Sequence, residues 1–126
     1  MSRVEDIEQI RDATVRYCVG LDSKDVDAAV DVFTPDARLD HTPLGYAESH
    51  GHAELREYFR GLHDQMTAMA HLVTNHVIDF DDDDTAHGIS YVYAEATLVD
   101  GQPIKALARN EDTYVRTSTG WKIARR

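Results

Sequence analysis

The hydrophobic pattern changes period once, near residue 67, and that switch limits the folds open to the chain. Before it the spacing is helical. Val4, Ile7, Ile10, Thr14, Tyr17, Cys18 and Leu21 form one buried stripe. Ser2 precedes it as a helix cap, with Glu5 three residues on as the capping-box partner. Gly20 weakens the helix near its end. A short second helix fits "DVDAAVDVF", with Val26, Ala29, Val30 and Phe33 on one face and Pro35 closing it through Thr34. "ARLDH" reads as a short strand and "TPLGYAESHG" as a loop. A third helix follows in "HAELREYFRGLHDQM", with Leu55, Tyr58, Phe59 and Leu62 as its apolar face. After the switch, "MAHLVTNHVIDF", "TAHGISYVYAEATLV", "PIKALARNEDTYVRT" and "GWKIARR" are rich in β-branched and aromatic residues. The turn signals "DDDD", "DGQP" and "TSTG" separate them, so they pair in sequence and mainly antiparallel. Helices first and strands afterwards predict an α+β fold: three N-terminal helices packed on one face of a strongly curved sheet, a cone able to hold a small ligand.

With 126 residues the chain suits a single domain over 1–126. Its formal charge of −10 disfavours nucleic acid as a partner, because an acidic surface repels phosphates. No apolar run is long enough to span a bilayer, and no basic amphipathic stretch suggests membrane binding. The charged, helix-patterned opening does not resemble a signal peptide, so a cytoplasmic location is expected. Cys18 is the only cysteine, which excludes an internal disulfide and a cysteine metal cluster.

Seven histidines raise the question of metal. His50 and His52 lie in a loop with no third partner in view, and His71 and His76, five apart in a strand, should point to opposite faces. "DFDDDD" fails as a calcium loop: counting from Asp79, the sixth and twelfth positions hold Asp84 and Ser90 rather than Gly and Glu. No metal and no cofactor are expected. Phosphate-loop and serine-nucleophile signatures are missing, and Cys18 faces the core. General acid–base chemistry by carboxylate and imidazole remains. Asp22 falls near the apolar stripe of the first helix, yet it or Ser23 could equally cap the second. His71 shares a strand face with Val73, Asn75 and Val77, as a structural or a catalytic histidine would.

The order helix, "DSKDVDAAVDVFTPDARLDH", helix, "AHLVTNHVI", long strands, "NEDTYVRTSTGWKI" resembles the SnoaL-like branch of the nuclear transport factor 2-like superfamily over nearly the whole chain. Within that branch it is most similar to the scytalone dehydratase type. The resemblance implies an aspartate–histidine pair at Asp22 and His71, with Asn110 and His41 at substrate-binding positions. It also marks departures: Leu21 and His41 stand where the dehydratases carry tyrosines, and Ala96 and Ala108 where they carry a histidine and a serine.

The function this implies is a cofactor-independent small-molecule lyase eliminating water or a similar group. An isomerase or polyketide cyclase of the same fold is the alternative enzyme, and a ligand-binding or assembly module the non-enzymatic one. Tyr17, Tyr46 and Tyr91 are further candidates to line the pocket. The expected ligand is a small hydrophobic or polycyclic compound bearing carbonyl or hydroxyl groups. The resemblance also implies a homodimer paired through the open face of the sheet, and "ISYVYAEATLV", with no clearly solvent-facing side, is compatible with that. A closed apolar cavity with Asp22 and His71 in contact would favour an enzyme; an open or filled cone, or a pair too far apart to hydrogen-bond, would favour a module.

Overall fold

A computed structural model describes residues 2–126, with the backbone alone at Leu44. Helix α1 (Arg3–Asp22) begins with the expected capping box, Ser2 and Glu5 each bonding the other's backbone. It buries Ile10, Ala13, Thr14, Tyr17, Cys18 and Leu21. Gly20 permits the close crossing of α2 (Val26–Asp31), since a Cβ there would meet the Ala29 nitrogen at 2.7 Å. Asp25 caps α2 through the Ala28 N–H, so neither Asp22 nor Ser23 does. The helix is shorter than its apolar spacing predicts. Phe33 opens strand β1 (Phe33–Leu39), and Pro35 lies within that strand instead of closing the helix. After a single 3₁₀ turn (Thr42–Leu44) and the two-residue β2 (Ser49–His50), α3 (Gly51–Gln65) runs without a loop into β3 (Met66–Phe80). Strands β4 (Thr85–Leu98), β5 (Pro103–Thr117) and β6 (Gly120–Arg125) complete one sheet of order β2-β1-β6-β5-β4-β3. All neighbours are antiparallel except β1 and β6. Helices and six strands thus segregate as an α+β fold, and no helix among the described residues is long and apolar enough to cross a membrane.

One irregularity decides what the sheet presents. The pairing of β3 with β4 slips between Thr74 and Val77, and Asn75 takes φ +51°. Asparagine tolerates this left-handed region better than other non-glycine residues. The bulge reverses the alternation that runs from Met69 to Thr74 in β3. His71 and Val73 face the helices, and beyond the bulge His76, Ile78 and Phe80 do so, while Val77 turns out to solvent. The simple period of two, which set Asn75 and Val77 beside His71 and His76 opposite, is thereby corrected. The bulge also needs Gly88 opposite it, where a Cβ would lie 2.5 Å from the Val77 carbonyl oxygen and 3.1 Å from the Tyr114 ring.

The helix-facing surface of the sheet has two unlike halves. In one, Ala86, Ser90, Val92, Asp112, Tyr114 and Ile123 are all buried. A guanidinium lies among them: Arg126 donates to Asp112 from Nε (2.8 Å) and Nη2 (2.6 Å), with its charge over the Tyr17 ring. Burial works against that charge, and Asp112 more than offsets it, holding Arg126 firmly protonated. Tyr114 donates to Asp112 (2.9 Å), and His76 Nε2 lies 3.0 Å from the Tyr114 oxygen. In the other half the same face is bare. Ala106 and Ala108 are exposed although they pair with Ala94 and Val92, and Ala94 and Ala96 are only half-buried. A second ion pair ties α1 to strands β5 and β6, Arg116 gripping Asp6 with two bonds while Trp121 Nε1 donates to the same carboxylate.

Two stability predictions follow from this packing. Asp112→Asn leaves the buried guanidinium uncompensated and should cost about 3–5 kcal/mol, lowering the Tm by more than about 10 °C in a calorimetric scan. Gly88→Ala should cost about 1–3 kcal/mol by overpacking, read as a reduced urea midpoint with an unchanged m-value.

Candidate functional site

Asp22 is the last residue of α1, and the chain turns sharply just after it. Lys24 N–H bonds the Leu21 carbonyl (3.1 Å) and Asp25 N–H the Gly20 carbonyl (2.8 Å). This is the double bond of a Schellman helix end, with Lys24 at φ +57° in the place glycine usually takes. The turn leaves the Asp22 side chain facing β3. Its Oδ1 lies 2.6 Å from His71 Nδ1, and its Oδ2 accepts the His71 backbone N–H at 2.9 Å. A carboxylate can only accept, so Nδ1 carries the proton and neutral His71 is the Nδ1–H tautomer. Its Nε2 then holds a lone pair with no hydrogen-bond partner among the described residues. Side-chain exposures of 25% for Asp22 and 21% for His71 leave the pair within reach of a small molecule.

The remaining sequence candidates are spread around this pair. Asn110 lies on the same face of the sheet, half-buried opposite Ser90. It is four positions along β5 from Ala106, the residue level with His71, or roughly 13 Å at ~3.3 Å per residue. His41 follows β1, not within it, and stacks on Tyr58 at 4.4 Å between centroids. Its Nε2 is buried without a partner among the described residues, and burial holds its pKa below the usual value. Tyr17 is a core aromatic, edge-on to Phe33 and Phe59, with its hydroxyl pushed up by burial. Tyr46 is an exposed loop residue edge-on to Tyr58. Tyr91 is a correction. It pairs with Thr74 on the outward face, away from His71, because it is an odd number of positions from Ala94, which pairs with His71. Cys18 is buried and its thiol is pushed up to about 11 by burial, which disqualifies it as a nucleophile.

Sequence reasoning missed Arg126, Asp112 and Tyr114, which with His76, weighed there only as a metal ligand, form the polar chain of the filled half, and Ser90, whose buried hydroxyl has no partner among the described residues. It also missed His63, whose Nε2 lies 2.9 Å from the Leu21 carbonyl oxygen. One signal was available: His63 follows Phe59 by four residues on the apolar stripe of α3. No group of three or more metal-ligating side chains occurs among the described residues. His71 and His76 share a face, but His76 Nε2 is engaged with Tyr114. The acidic turn is closed by its own carboxylate, Asp82 accepting from Asp84 and Thr85 N–H.

Two surface depressions accompany the site without containing either member of the pair. One of about 400 Å³ lies between α2 and α3 against Asp25, Asp27, His52 and Arg56. The other, of about 300 Å³, lies at the ends of the long strands against Met69, Ala70, Ala96 and Ile104.

Comparison with known proteins agrees with this architecture. A Novosphingobium aromaticivorans protein assigned as an aromatic ring hydroxylase superimposes with a TM-score of 0.93 at 33% identity, over 99% of this chain and 88% of that one. A second protein from the same organism, assigned as a scytalone dehydratase, gives 0.89 at 20% identity over 97% and 81%. A type 2 hexachlorocyclohexane dehydrochlorinase gives 0.91 at 22% identity over 98% and 83%. An uncharacterised Mycobacterium tuberculosis protein is 24% identical over 127 residues, all of this chain and 86% of its own. The SnoaL-like domain model matches residues 2–126, and the chain belongs to that family.

Proposed function

We propose that the protein is a cofactor-independent lyase in which Asp22 and His71 act as a general acid–base dyad. The supporting observation is that one carboxylate takes both the ring and the backbone N–H of His71, leaving Nε2 unpaired. Nε2 takes a proton from a carbon beside a carbonyl, and Asp22 stabilises the imidazolium that forms. The electron pair of the broken C–H bond becomes the new C=C bond. The C–O bond to the leaving group breaks, and the departing oxygen takes the proton back from Nε2 as water. Returning the proton to another carbon instead gives isomerisation. Such proton transfer supplies about 10²–10⁴-fold, so the pocket must also polarise the carbonyl. Asn110, half-exposed on the same face but four positions along β5 from the level of His71, is placed to hold the far end of a ring compound, whereas the Nε2 of His41 is enclosed.

The bare strip Ala94, Ala96, Ala106 and Ala108 beside His71 has no polar side chain and little relief. It suits a flat, apolar ring compound with a carbonyl or hydroxyl at the His71 end, and the net charge of −10 disfavours anions. The dehydratase and dehydrochlorinase neighbours are named for eliminations from ring compounds, which supports the same reaction class. The solid packing of the other half of the cone favours a second reading, a binding module that holds such a ligand without turning it over. The outward face carries Leu72, Tyr91, Tyr93 and Leu107 exposed, and we assign it to a homodimer.

A panel of neutral cyclic hydroxyketones tests the reaction. On any compound turned over, Asp22→Asn and His71→Gln should each lower kcat by about 10²–10⁴-fold with circular dichroism unchanged. Wild-type turnover in both variants would refute the dyad, and binding of panel members without turnover would favour the module. Sedimentation should show a dimer that Leu107→Glu dissociates.

A further inference from the structure

The end of α1 is built in a strained way that a simple helix stop does not require. The Schellman turn after Asp22 places Lys24 at φ +57°, a region that disfavours a residue with a Cβ relative to glycine. Lys24 has a use for that position. Its Nζ donates to the Met66 carbonyl at 2.7 Å and to the His63 carbonyl at 3.2 Å. These two carbonyls belong to the last turn of α3 and the first residue of β3. From the same turn of α3, the His63 ring reaches back to the Leu21 carbonyl at 2.9 Å. That carbonyl already accepts the Lys24 N–H, so it carries two bonds. A carbonyl only accepts, so His63 holds its proton on Nε2. The two contacts run in opposite directions between the same two segments: a lysine of the α1 end grips α3–β3, and a histidine of α3 grips the α1 end.

The location of this double clasp matters because both halves of the working pair hang from it. Asp22 is the next residue after Leu21. His71 lies five residues beyond Met66 on a strand that continues α3 without a loop. We infer that His63 and Lys24 are positioning residues that set the Asp22 carboxylate against His71. The inference takes the Asp22–His71 pair as the working centre, as proposed above. Neither residue needs to touch the ligand. A clasp that serves only to join helices would fit any register of the two segments. This one fixes the residue immediately before Asp22, at a hydrogen bond of 2.6 Å that a small displacement would break.

The test reads that bond directly and needs no substrate. In protein labelled with ¹⁵N-histidine, long-range ¹⁵N–¹H spectra report which ring nitrogen of His71 is protonated. The wild type should show a pyrrole-like Nδ1 and a pyridine-like Nε2, with the Nδ1 proton far downfield. His63→Leu should shift the tautomer ratio of His71 by about tenfold or more toward Nε2–H, the size expected for a charge-assisted hydrogen bond. His63→Gln, which keeps a donor toward Leu21, should restore the wild-type pattern. Lys24→Gly separates positioning from stability: it relieves the strained φ and holds or raises the Tm, yet should move the His71 signals in the same direction as His63→Leu. Unchanged His71 signals in His63→Leu and Lys24→Gly would overturn the inference. Should His63→Leu fail to fold, Lys24→Gly decides alone. Failure of the catalytic reading looks different: Asp22→Asn would keep turnover while the His71 signals of the clasp variants still move.

Discussion

A guanidinium enclosed by protein on every side must be met by a carboxylate, and the pairing of Arg126 with Asp112 organises half of this molecule. Arg126 continues the parallel pairing of β1 with β6, its N–H on the Arg38 carbonyl and its carbonyl on Asp40 N–H, so the charge enters the cone at the one parallel seam of the sheet. Asp112 takes two of its donors, Tyr17 presents a ring face to the guanidinium, and Thr14 lies 3.4 Å from Nη2. Helix α1 supplies two of these three elements, so the pair fixes the helix over the sheet. Tyr114 and His76 extend the network to β3. This half of the interior is occupied by polar groups bound to one another, and it has little room for a ligand.

The gross architecture was legible because it rests on periodicity. The three helices, the four strands after residue 65 and their turns all follow from where apolar residues recur. Local exceptions to periodicity were not legible. The bulge at Asn75 reverses the alternation that runs from Met69 to Thr74, and no residue before it announces the change. The helix end at Lys24 uses a lysine where the sequence signal for such an end is glycine, so the stretch reads as the start of α2 and the orientation of Asp22 stays open. Phe33 satisfies a helical stripe and a strand equally well, because it is buried in either. Arg126 and Asp112 were passed over because charges belong outside unless they meet, and fourteen residues of separation hide the meeting.

The pair at Asp22 and His71 obeys the opposite logic to the pair at Asp112 and Arg126. The buried pair matches charge with charge: both carboxylate oxygens are bound to the guanidinium, while Arg126 Nη1 is buried without a partner among the described residues. At Asp22 both carboxylate oxygens are also occupied, but by one residue, and that residue keeps its second ring nitrogen unpaired. One arrangement neutralises a charge inside the core and the other leaves an imidazole nitrogen open. The open end faces the half of the cone where the sheet carries alanine instead of large side chains. A tight core and a reactive group compete for the same interior, and this chain separates them along the length of its strands. The packed, polar interior lies where β4 and β5 carry Ser90, Asp112 and Tyr114, and the proposed ligand face where they carry Ala94, Ala96, Ala106 and Ala108. On the proposed reading, changes along the alanine strip alter what the site accepts at little cost to the fold, since almost no packing is lost there. The departures from the dehydratase pattern at Ala96 and Ala108 lie in that strip, whereas the aspartate and histidine they would serve are fixed by the segments that join helix to strand.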